Sequence, residues 1–96
     1  MKFMESKKTM PVSLPIVTSR EGKWFIAVCP LLDIATQGKT EKEVRENMEE
    51  LIIEYFEDPD TPKPSFNDMM STSVSVINMP VNVRVLRGKV TTVKTE

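Results

Sequence analysis

"WFIAVCPLLDIATQGKT", residues 24–40, decides how the chain folds. Trp24 to Cys29 is apolar at every position. A short, continuous run of aromatic and β-branched side chains predicts a strand covered on both faces. Pro30 has no N–H for a sheet ladder and is expected to end or bulge that strand. Asp33 to Gln37 then reads as a shorter edge strand closed by Gly38. Thr40 offers an oxygen to a helix start, and Glu43 follows three residues later. That spacing predicts a capping box, each side chain accepting a bond from the other's backbone N–H.

Upstream, Val12, Leu14 and Ile16 alternate with Ser13 and Pro15, which predicts a first strand over Val12–Thr18 with one buried face. Pro15 implies one unpaired side early in that strand. "SREGK" supplies the turn, with Gly22 best able to take positive φ. The three strands form an antiparallel meander. Downstream, Val44, Met48, Leu51, Ile52, Tyr55 and Phe56 recur at helical spacing, one apolar stripe ending near Asp58-Pro59. "DPDTPKPSFNDMMS" places three prolines within six residues, the mark of a linker. Beyond it, Val74 and Val76 alternate with serines. Val81, Val83 and Val85 alternate with Asn82 and Arg84, Arg87-Gly88 can turn the chain, and Val90–Val93 reads as a last, exposed strand.

The chain therefore divides into a flexible N-terminal tail (1–10), a βββα core (11–57), a Pro-rich linker (58–72) and C-terminal strands (73–96). The predicted class is α+β: βββαβ, a three- to four-stranded, mainly antiparallel sheet with one helix packed on it. The strand after the linker lies parallel to the first through a right-handed crossover, giving the order 3-2-1-4.

Composition narrows the function. A chain of 96 residues is one small domain that buries roughly two thirds of its unfolded surface. Net charge is −1, which argues against direct nucleic-acid binding or attraction to an anionic membrane. Cys29 is the only cysteine, excluding an internal disulfide and favouring a reducing cytoplasm. No run of about 18 apolar residues suggests a membrane span, and "MKFMESKKTM" does not read as a signal sequence.

From roughly Ile16 to Glu57, about half the chain, the sequence resembles the HicB-like antitoxin family. The resemblance is carried by the Gly22 turn, Trp24-Phe25, Ala27, Cys29-Pro30, Gln37-Gly38, Thr40 and the acidic amphipathic helix. It implies a truncated RNase H-like fold. It also implies that a small, mRNA-cleaving HicA-like toxin is the partner, bound and neutralised by occlusion. Many relatives carry a C-terminal ribbon-helix-helix or helix-turn-helix module as well. Here only strand-like segments follow the linker, so the sequence resembles a short, stand-alone member of that family. The alternative is an orphan structural or regulatory module of the same fold, with no toxin partner and no catalysis.

No residue reads as catalytic, cofactor-binding or metal-binding. Two-metal nuclease chemistry needs several carboxylates converging at strand ends, but Asp33 stands alone and the first strand has none. The chain has no histidine, so no imidazole base or ligand is present. Cys29 continues an apolar strand and reads as core. Trp24 could stack a base but also reads as core. Gln37-Gly38-Lys39-Thr40 lacks the first glycine of a phosphate loop and reads as turn plus cap.

Two candidate interaction surfaces remain. Glu43, Glu46, Glu50, Glu54 and Glu57 cluster on the helix away from the stripe, with Ile53 about half a turn from its centre. A solvated face is the simpler expectation, and a docking face for a basic toxin is the functional one. Val81, Val83, Val85, Val90 and Val93 form a Val-rich edge that needs cover. Pairing across a two-fold axis in a homodimer would supply it, and so would an intramolecular hairpin.

Overall fold

The first turn of the chain needs only two residues. Gly22 takes φ +63 and Lys23 completes a tight loop between Glu21 and Trp24, which face each other across the ladder. Positive φ at the first central position alone is the pattern of a II′ hairpin turn, whose twist matches that of its strands. The computed structural model, which describes Thr9 and residues 11–92, places β1 at Val17–Glu21, β2 at Trp24–Cys29 and β3 at Ile34–Gly38. They form one antiparallel sheet in the order β1-β2-β3.

β1 thus begins later than its alternation predicted. Residues 11–16 are irregular, although Val12, Leu14 and Pro15 are half-buried and Leu14 packs on the core. Pro11 and Pro15 offer no N–H, so the segment packs without building a ladder. The strand instead runs through Ser19, Arg20 and Glu21, so the turn narrows to Gly22-Lys23. The predicted tail lies, apart from Thr9, outside the described residues.

Helix α1 spans Glu41–Glu57. Thr40 Oγ1 accepts from the Glu43 N–H at 3.0 Å. The Glu43 carboxylate accepts from the N–H of Lys39 at 3.2 Å, one residue before the position expected of a capping box. Asp58 is the C-cap, so the helix stops where expected. Gly38 sets the approach of helix to sheet: a Cβ there would lie 2.6 Å from the backbone nitrogen of Val44. Asn47 adds a side-chain bond to the Gln37 carbonyl at 2.9 Å.

The core sits between α1 and one face of β2. Ala27, Cys29, Leu32, Val44 and Met48 are buried, with Leu14, Phe25, Leu31, Ile34, Ile52 and Tyr55 packed against them. Phe25, Ala27 and Cys29 alternate toward the helix. Trp24, Ile26 and Val28 point to the other face, where Trp24 is 39% exposed. The predicted two-sided cover of β2 is therefore corrected to one side: among the described residues no helix or strand packs on the second face.

Beyond α1 the chain turns on itself. Asp58 accepts from the Asp60 N–H (2.9 Å) and the Thr61 hydroxyl (2.7 Å). The Tyr55 hydroxyl donates to the Pro62 carbonyl at 2.8 Å, and the Lys63 ammonium lies 5.6 Å from the centre of the Tyr55 ring. The Pro-rich stretch also contains a short helix that composition did not reveal, α2 at Phe66–Ser71. Ser65 and Asp68 form a reciprocal capping box around its first turn.

The C-terminal strands β4 (Val83–Leu86) and β5 (Lys89–Thr92) pair only with each other. Arg87 (φ 52) and Gly88 (φ 77) close the hairpin with two positive-φ residues, the I′ pattern. Residues 73–82, Val81 included, have no regular structure. The intramolecular hairpin is thus present, but it does not occupy a fourth place beside β1, as the order 3-2-1-4 required. Among the described residues neither α2 nor the hairpin meets another element of the fold. Among the described residues no helix is long and apolar enough to cross a membrane.

Candidate interaction surfaces

Helix α1 presents two different sides around its buried stripe. Counting about 100° per residue, Glu43, Glu46, Glu50, Glu54 and Glu57 lie on one flank, and all five are exposed. Their separation from the core follows from spacing: Val44 and Met48 anchor the helix, so carboxylates two or six positions from Val44 must face water. The helix carries seven acidic and two basic residues, a local charge of −5 on a chain whose net charge is −1.

On the opposite flank lies a groove of about 580 Å³ between α1 and the open edge of β1. Ile16, Phe25, Met48 and Ile52 form its floor and walls, and Glu41, Arg45, Glu49 and Ile53 stand at its rim. Ile53 is 50% exposed, as its place on the helix implied. It is the only one of the six singled-out helix residues to border the groove; the five glutamates do not. The groove was not legible from periodicity, because it depends on β1 being the edge of the sheet among the described residues.

Asp33 sits in the β2–β3 loop at φ 55. Among the described residues no group of three His, Cys, Asp or Glu side chains is spaced to hold a metal ion. Cys29 is fully buried in the core. Trp24, expected in the core, lies half-exposed on the open sheet face. Lys39 and Thr40 form the cap already described.

The C-terminal arm supplies the second surface. Val83, Val85 and Val90 share one face of the hairpin, because Val85 pairs with Val90 and Val83 with Thr92. Val85 is 64% exposed, and Val74, Val76, Ile77, Met79 and Val81 upstream are exposed too. The expectation for Val93 lies outside the described residues.

The Asp58 carboxyl is held below its ordinary value, first by the Thr61 hydroxyl and then by the Asp60 N–H, with Lys63 adding a favourable charge. It stabilises the exit from α1 and has no reactive neighbour in these contacts. Compared with known proteins, the chain matches no protein-family model, and no curated protein or solved structure matches it.

Proposed function

We propose that this chain is a non-catalytic binding domain that acts by covering part of another protein. On the resemblance of residues 16–57, it belongs with the HicB-like antitoxins, and its βββα body corresponds to their truncated RNase H-like fold. Its partner is then a small, basic, RNA-cleaving toxin of the HicA-like kind. The observation that carries this reading is the row of five exposed carboxylates on α1, borne by a helix whose other side is fixed to the sheet. A fixed anionic ridge speeds encounter with a cationic protein, and its contribution weakens as salt rises. An orphan module of the same fold is the alternative if no such partner is found.

The test is co-purification of the tagged protein from its native cell, followed by an RNA-cleavage assay on whatever is recovered. A small basic ribonuclease at near-equal stoichiometry, inhibited by the wild-type chain and about tenfold less readily by the Glu50→Lys/Glu54→Lys variant, supports the antitoxin reading. Recovery of the chain alone, or inhibition indifferent to the charge reversal, contradicts it.

A further inference from the structure

The chain exposes two surfaces that need cover and that fit each other. One is the apolar groove beside β1. The other is the apolar face of the C-terminal arm, residues 73–92. We infer that the groove is the seat for the arm of a second copy of this chain, and that two copies exchange arms across a two-fold axis.

Area is the first support. A standard interface takes about 800 Å² from each partner, and nine large apolar side chains between Val74 and Val90 stand exposed. Much of the exposed apolar surface lies on the arm, from Val74 to Val90. Exposed valines beside an unpaired strand edge are an aggregation risk, which a specific partner removes.

Geometry is the second support. β1 is an edge strand, so its outer backbone groups are free to pair with an added strand. A strand laid there alternates its side chains into the groove, as Val83 and Val85 of β4 are spaced to do. The arm's own body is the less favoured acceptor. The Asp58 turn and the Tyr55–Pro62 bond fix how the chain leaves α1, α2 follows, and the arm meets no element of its own body.

Charge is the third support. Residues 73–92 carry Arg84, Arg87 and Lys89 and no acid, a local charge of +3, and the groove's rim carries Glu41, Arg45 and Glu49, a net −1. Opposite charge orients the encounter, while the apolar contacts hold the complex. The inference does not depend on the toxin reading: the arm approaches the groove flank of α1, and the five-carboxylate flank stays free.

The experiment uses the full chain in two preparations, one carrying Ile53→Cys and the other Val85→Cys, mixed and oxidised under mild conditions. The expected product is a disulfide-linked heterodimer, formed at least tenfold faster than either preparation links to itself. In parallel, Val83→Asp/Val85→Asp is expected to raise the dimer dissociation constant at least 100-fold by sedimentation, with the circular dichroism of the body retained. A monomeric wild type at every concentration overturns the inference. So does a double variant, Ile53→Cys/Val85→Cys, that closes an internal bond in preference to an intermolecular one. Preferential linking of Val85→Cys to itself places arm against arm and overturns it as well.

Discussion

The body, residues 17–57, and the arm, residues 73–92, are written in similar letters and end up in opposite environments. Both contain apolar residues at strand spacing, Phe25, Ala27 and Cys29 in the body and Val83 and Val85 in the arm, and a two-residue turn with glycine. In the body, Ala27 and Cys29 are fully buried, whereas in the arm Val85 is 64% exposed. The difference lies in the counter-layer. The body contains α1, whose stripe covers one sheet face and closes a core. The arm contains only α2, six residues with none buried, so its valines have nothing to pack on. Alternation is enough to specify a strand, but burial requires a second amphipathic element in reach.

The sharpest way to break this comparison is at Gly38. Gly38→Ala places a Cβ against the backbone of Val44, and neither side can yield without moving the helix. A loss of about 2–4 kcal/mol in unfolding free energy is expected. An exposed arm position such as Val85→Ala should change the body's unfolding by no more than about 0.5 kcal/mol, measured at concentrations where the chain is monomeric. Met48→Ala probes the counter-layer itself and should cost about 2–5 kcal/mol by denaturant titration, because Met48 is buried under β2. Thr40→Ala removes the one cap bond to the Glu43 N–H and should cost about 1 kcal/mol.

The smallest effect concerns the joint between the two regions. The Asp58 carboxyl is held below its ordinary value, so the turn it stabilises is complete above that value, near 3.8. The contribution disappears as pH falls through the lower folded value. Because Asp58 is exposed, the change should be local: the Thr61 resonances should follow an acid titration that Asp58→Asn abolishes, with global stability nearly unmoved.

The sequence was most legible where one local rule decided the outcome. Thr40 as cap, the end of α1 near Asp58, the positive φ of Gly22 and the strand over Trp24–Cys29 all rest on contacts within a few residues. The Ser65–Asp68 capping box was equally local and was hidden by the prolines around it. Non-local facts were less legible. Six apolar residues in a row do not say whether one sheet face or two will be covered, and Trp24 shows that one is left open. A groove between Ile16, Phe25 and Met48 exists only because three distant segments meet. The five glutamates of α1 were placed on the surface correctly by helical geometry, but geometry alone does not name what meets them.

Hydrogen–deuterium exchange on the full chain, followed across a dilution series, tests most directly whether the arm is completed by a second copy. The account predicts that the amides of 83–92 and of β1 are protected together at high concentration, and lose protection together on dilution while α1 stays protected. Protection of the arm that is independent of concentration, or an arm unprotected at every concentration, would contradict it.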